Sequence, residues 1–214
     1  MTDNPMTLSI EPDLNQLAEW KKAYQGFVKP KEFNQALANA VNHALAHGKT
    51  KFKQEIVKKY TLTSSNAHKM MKVRKATTNN PTAEIKFNGA RLAIARFYKA
   101  MPKNPPSQLR LPPSSRKRPT VELIRGQKHT SGSAFIARMK SGHVGVFQRG
   151  EEQALNRVGK LTKHTQRIEE RTGSSIVTVA NKKEVREPAW SSVSVDLYRR
   201  IDHEMRRLAE RASP

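Results

Sequence analysis

Phe33, Leu37, Val41, Leu45, Gly48, Phe52, Ile56 and Tyr60 recur at spacings of three and four. An α-helix places residues so spaced on one face. The run covers about thirty residues, roughly 45 Å at 1.5 Å per residue if it does not bend. Pro30 suits an early helical position, where its missing N–H is not needed, and Gly48 reads as a bend. A single apolar stripe of this length has to be covered by other elements, so this helix organises whatever fold the chain adopts.

The segments that follow alternate instead. "TLTSSNAHKMMKV" offers Ser64 or Ser65 as the cap of one or two helical turns, and "VRKATTNN" runs extended to Pro81. In "TAEIKFNG", Ala83, Ile85 and Phe87 share one strand face. In "ARLAIARFY", Leu92, Ile94 and Arg96 oppose Ala93, Ala95 and Phe97. Asn88-Gly89 between them is the favoured chemistry of a type I′ turn, which predicts a hairpin over 82–97. "TVELIRGQ" (120–127) is a further strand. "AFIARMKSGHVGVFQRG" (134–150) predicts a hairpin about Ser141-Gly142, with Lys140 facing His143, Met139 facing Val144 and Ala137 facing Val146. That register puts Phe135, Ala137, Met139, Val144 and Val146 on the core face. Ile136, Arg138, Lys140, His143 and Phe147 then share the other.

Beyond residue 150 the pattern is weaker: a short helix is expected around 151–158 and a strand in "SIVTVA" (175–180). Trp190, Val193, Leu197, Ile201, Met205 and Leu208 mark a closing amphipathic helix capped at Ser191, Ser192 or Ser194. Arg206, Arg207 and Arg211 suit the negative end of its dipole. Antiparallel hairpins between long helices define an α+β fold rather than βαβ units. The expected architecture is a small antiparallel sheet packed against the long N-terminal helix and the C-terminal amphipathic helix.

Charge bounds the partners. Forty Lys and Arg against 18 Asp and Glu leave +22, with 36% apolar residues and 6% aromatics. Such a surface attracts polyanions, and identical copies repel unless opposite charge lies between them. The low apolar content implies arms, loops or surfaces completed by partners. Residues 1–29 read as an N-terminal arm: 1–12 loose, then Asp13 capping a short helix with Leu14, Leu17 and Trp20 near one face. Asp3, Glu11, Asp13 and Glu19 make the arm acidic, so it can dock on a basic surface, its own or a neighbour's. Asp13, Leu14, Leu17 and Trp20 are therefore the subunit-interface candidates. Residues 30–212 read as one α+β domain that includes a charged insertion at 150–187. It also includes a stiff basic loop at 99–119, which holds six of the twelve prolines. No apolar run reaches the length of a membrane span, no signal segment is visible, and the absence of cysteine fits a cytosolic origin.

Catalytic patterns are sparse. There is no phosphate-cradling Gly-rich loop, no G-x-S-x-G elbow and no cysteine-based metal motif. His43 and His47 stand four apart on one helical face but lack a third ligand. Asp196, Asp202, His203 and Glu204 lie close in sequence. Yet 202, 203 and 204 point in different directions around a helix, where Asp202 and Glu204 are placed to pair with nearby arginines. The expectation is no catalysis, no metal and no cofactor. The cations Arg110, Arg116, Lys117, Arg118, Arg125, Lys128, Arg138 and Lys140 are the candidate contacts to DNA or to an acidic partner, through sequence-independent phosphate pairing in the DNA case.

"SAFIARMKSGHVGVFQR" (133–149) resembles the hallmark hairpin of the minor tail protein Z family of bacteriophages and prophages. There a strand of the form F-I/V-A-x-M-K-S-G-H leads into G-V/I-F-x-R. The long helix, the basic "MKVRKAT" strand and the closing "LYRRIDHEMRRLAER" helix agree, so the resemblance spans roughly 30–149 and 186–211. The chain departs from the family at 150–187, and "EPAWSSVSVDLY" keeps Pro188 and Ser192 without the family's Gly-Pro-Ser. The resemblance implies a structural role in tail completion at the head-proximal end, where tail meets neck. Expected partners are other neck and tail proteins (terminator, tube or connector components), further copies in a homo-oligomeric, six-fold-based ring, and genomic DNA in the lumen. The expected location is the virion, with assembly in the host cytoplasm. The alternative is a sequence-nonspecific DNA-binding protein of a phage or mobile element.

Overall fold

A computed structural model describes residues 4–26, 28–97, 118–130, 132–155 and 161–212, with the side chains of these except at 151–155, 161–166 and 212. In chain order the elements are β1 (Met6–Ile10), α1 (Leu14–Tyr24), α2 (Pro30–Lys59), α3 (Ser64–Lys69), β2 (Met71–Arg74), β3 (Ala83–Phe87) and β4 (Arg91–Ala93). A 3₁₀ turn (Ile94–Phe97), β5 (Thr120–Glu122), β6 (Lys128–Thr130), β7 (Ala134–Arg138) and β8 (Val144–Leu155) follow. The chain closes with β9 (Leu161–Glu170), β10 (Thr172–Ser175), α4 (Ile176–Asn181) and α5 (Lys183–Ala212). Small antiparallel sheets and long helices make this an α+β protein. The chain divides into two compact units, one of residues 2–56, 67–90 and 176–214, the other of 57–66 and 91–175.

In the first unit, every residue of the α2 stripe from Phe33 to Ile56 is buried, as the period predicts. A sheet of order β1-β3-β2 supplies one cover, its central strand antiparallel to both neighbours. Ala83, Ile85 and Phe87 are fully buried, and the Phe87 ring meets Phe52 edge-on at 5.4 Å between centroids. Each large apolar side chain so buried contributes about 1.5–3 kcal/mol by leaving water.

α2 runs unbroken through Gly48. A Cβ there would stand 2.9 Å from Val193 Cγ2 and 3.3 Å from Ile85 Cδ1. The missing side chain is what lets α5 and β3 approach. Asn42 closes the same region: its amide donates to the Ala76 carbonyl at 3.0 Å and accepts from the Ala76 N–H at 2.9 Å.

Residues 6–10 form a strand paired with β3, in register Leu8 with Ile85, where a loose arm was expected. Alternation was too short to read there, and the free edge of β3 decides it. The cap of α3 is Thr63, whose hydroxyl accepts from Asn66 N–H, and not Ser64 or Ser65.

α5 begins at Lys183, eight residues before the expected serine caps. Pro188 lies early in the helix and forgoes a single bond, to the Glu184 carbonyl. The buried stripe is Val185, Ala189, Val193, Leu197, Ile201 and Met205, four apart throughout, while Trp190 stands exposed beside it. "SIVTVA" is helical over Ile176–Asn181: Ile176, Val179 and Ala180 are buried at helical spacing, which a run this short does not distinguish from a strand.

The hairpin expected over 82–97 does not form. β3 ends at Phe87, and β4 pairs with β10 in the second unit. Gly89 is not among the positive-φ glycines, whereas a type I′ turn needs φ above zero at both central residues. Asn88 instead continues the β2–β3 ladder through its N–H to the Met70 carbonyl and turns the chain with its side chain on Ala90 N–H.

In the second unit, β7 and β8 form the expected hairpin one residue out of the expected register. Phe135 faces Phe147, Ala137 faces Gly145 and Arg138 faces Val144. The loop has three residues, Lys140-Ser141-Gly142. Gly142 N–H bonds to the Met139 carbonyl, Met139 N–H bonds to the His143 carbonyl, and Gly142 lies at φ +84°. That is the three-residue loop with a left-handed glycine, not a two-residue turn. An extra loop residue flips β8 by one face, so Phe147 joins Phe135, Ala137 and Met139 in one cluster, and Val146 is buried on the other side. Residues 151–155 continue β8, where a helix was expected, and pair with β9.

Candidate interaction surfaces

Of the candidate cations, Arg110, Arg116 and Lys117 lie outside the described residues. Arg118, Lys128, Arg138 and Lys140 are exposed. Arg138 ends β7 and Lys140 opens its loop, so these two stand at one end of the hairpin. Lys128 is on β6, opposite Glu122, whose carboxylate is taken up by Gly126 N–H at 2.7 Å.

Arg125 has a structural occupation. Its Nε donates to the Val57 carbonyl at 2.7 Å and its backbone N–H to the Lys59 carbonyl at 2.9 Å. Two carbonyls that the end of α2 leaves without helical partners are satisfied in this way. Thr61 N–H adds a bond to the Leu123 carbonyl beside them.

The glycine and histidine of the hairpin motif have a physical reason too. His143 Nε2 lies 2.9 Å from Glu170 Oε1, and a Cβ on Gly145 would sit 2.7 Å from that same oxygen. Gly145 thus leaves room for the His143–Glu170 pair to cross the strand, with the Phe147 ring edge-on to the imidazole at 6.0 Å. Sequence reasoning missed Glu170, because nothing in the charged run around it marks one glutamate from the next.

Asp13 caps α1, its Oδ1 accepting from Asn15 and Gln16 N–H at 2.9 and 3.2 Å. α1 buries none of its residues fully. Leu17 and Trp20 are half-buried, the Trp20 ring lying 6.4 Å from that of Tyr198, while Leu14 is 80% exposed. Asp13 and Leu14 line a recess of about 460 Å³ together with Glu11, Trp190 and Tyr198. Leu14, Trp190, Tyr198 and Val195, the last 68% exposed, leave apolar side chains in water at the start of α1 and along α5. A larger cleft, about 890 Å³, opens between the end of α1 and the start of α2, walled by Tyr24, Val28, Phe33, Lys21, Lys22 and Lys29 among others. Neither recess was legible in the sequence, since each is made by elements meeting.

The polar groups that could carry chemistry resolve into pairs. Asp196 is buried, with Oδ1 2.6 Å from Arg199 Nη2 and Oδ2 3.1 Å from His43 Nδ1. Burial pushes its pKa up, but the hydrogen bonds from Arg199 and His43 and the charges of His47 and His43 outweigh that and hold it below its ordinary value. His47 Nε2 bonds to Ser192 Oγ at 2.9 Å, so the two histidines have different partners. Asp202 pairs with Arg206 and Glu204 with Arg207. Among the described residues, no group of three or more His, Asp or Glu could hold a metal, and no helix is long and apolar enough to cross a membrane.

These features define a basic α+β protein whose distinctive surfaces are exposed cations, an apolar patch and a lysine-lined cleft. A family model described as prophage minor tail protein Z (GPZ) matches residues 27–211, and the chain belongs to that family. It is a phage minor tail protein, a structural component of the virion. The match runs through the charged region 150–187 as well as through the hairpin. Comparison with curated proteins and with solved structures gave no match.

Proposed function

We propose that this chain completes the tail at its head-proximal end, assembling as a six-fold-based ring that helps join the tail to the head and neck, without catalysis. Membership of the minor tail protein Z family across residues 27–211 carries the reading. The exposed apolar side of α1 and α5 supports it, since a lone soluble subunit gains nothing from leaving Leu14, Trp190, Val195 and Tyr198 in water. Terminator, tube or connector proteins are the neighbours, and assembly takes place in the host cytoplasm. Exposed Arg118, Lys128, Arg138 and Lys140 meet genomic DNA in the lumen or an acidic face of a neighbour. The test is quantitative mass spectrometry of purified particles against a known tail protein. A low, ring-like copy number is expected, and absence from DNA-filled particles sinks the proposal.

The net charge of +22 favours one other reading, a sequence-nonspecific DNA-binding protein. It requires a protein that never joins particles and whose DNA binding falls steeply with salt.

A further inference from the structure

The two ends of α1 carry opposite charge beside apolar surface. At its start, Leu14 projects with Glu11 and Asp13 next to it, and among the described residues no Lys or Arg lines that recess. At its end, Lys21 and Lys22, with Lys29 before α2, line the cleft of about 890 Å³, and no described Asp or Glu does. Val28, Pro30 and the edge of Phe33 give the cleft an apolar wall. Knob and cleft therefore complement each other in both polarity and charge.

One chain cannot fill its own cleft. Leu14 and Tyr24 are the two ends of a single helix, about 15 Å apart at 1.5 Å per residue, so Leu14 cannot reach the cleft of its own copy. Copies with +22 each also repel, which confines close self-contact to places where opposite charges meet. We infer that the Glu11–Asp13–Leu14 knob of one copy seats in the Lys21–Lys22–Lys29 cleft of the next. The contact is heterologous, joining different patches on the two copies, and such contacts close into rings when the rotation between subunits permits. This rests on the proposed ring, to which it gives a surface.

The chain has no cysteine, so disulfide trapping has no background. Leu14→Cys and Asn34→Cys, the latter in the cleft wall, are each purified, checked for folding by circular dichroism, and oxidised alone and as an equal mixture. The mixture is expected to form a Leu14→Cys to Asn34→Cys dimer in several-fold excess over either self-dimer. Adding Lys21→Glu and Lys22→Glu to the Asn34→Cys chain should cut that yield several-fold, as should high salt. A mixed dimer at no more than the twofold excess over each self-dimer that random pairing gives, or one indifferent to the charge reversals, overturns the inference. The same pair produced in cells assembling phage separates the two proposals. Chain present in particles without the cross-link discards this contact and leaves the tail role. A cross-link in solution with chain absent from particles leaves the contact and discards the tail role.

Discussion

Gly48→Ala sets two known effects against each other. In an exposed helix interior the change favours folding by about 1 kcal/mol. Here the new methyl meets Val193 Cγ2 at 2.9 Å. Val193 is buried and β-branched, and in a helix its χ1 has essentially one rotamer, so it cannot swing aside. Ile85 Cδ1, at 3.3 Å, is the far end of a flexible chain and gives more easily. Overpacking of this kind costs about 1–3 kcal/mol. With the helical gain subtracted, the net loss is about 1 kcal/mol, or about 2–4 °C in midpoint for a chain of this size. Val193→Ala alone removes two methyl groups at about 0.8 kcal/mol each and leaves a small cavity, a loss of about 2 kcal/mol. In the double variant the methyl added at position 48 occupies part of that space without a clash, so the pair should cost about 1 rather than 3 kcal/mol, a coupling of about 2. Urea unfolding followed by far-ultraviolet circular dichroism measures all four proteins. If Gly48→Ala is stabilising and additive with Val193→Ala, the close approach of α2 and α5 is not what the glycine serves.

Asn42→Ala should cost about 2 kcal/mol, because it strips both backbone groups of buried Ala76 of their partner; Asn42→Asp should also destabilise, by setting a carboxylate against the Ala76 carbonyl. Equal urea midpoints for Asn42→Ala and the parent would refute this. Asp196→Asn should lower stability near neutral pH by only about 1 kcal/mol, since Arg199 and His43 keep access to water. The folded pKa of Asp196 is depressed, so its contribution is present above the unfolded carboxylate's value of about 3.9 and is lost as pH falls through the lower folded value. The gap between parent and Asp196→Asn should accordingly close as pH falls from 7 through that depressed folded value, and a gap independent of pH would contradict the pairing.

Periodicity over long spans was legible from the amino acids alone. The α2 stripe needed only its spacing, because about thirty residues at a period near 3.6 admit one reading, and Ala83, Ile85 and Phe87 likewise announced a buried strand face. The hairpin motif at 133–149 was enough by itself to point to the family. Short runs were decided by their surroundings: "SIVTVA" suits a strand or a helix until Ile176, Val179 and Ala180 are seen to share a core, and residues 6–10 became a strand because β3 had an open edge. Turn chemistry was the sharper trap. Asn88-Gly89 has the composition of a tight hairpin, yet tertiary pairing sends β3 and β4 to different sheets. One loop residue more than expected, Lys140, moved Phe147 to the opposite face of β8. The candidate surfaces were less legible still, since the Arg125 bond to Val57 spans 68 residues and the lysine cleft exists only where two helices meet. Local pattern is a property of neighbours along the chain and can be counted there. Register, edge pairing and clefts depend on which distant groups are left to be satisfied, and only the folded arrangement decides that.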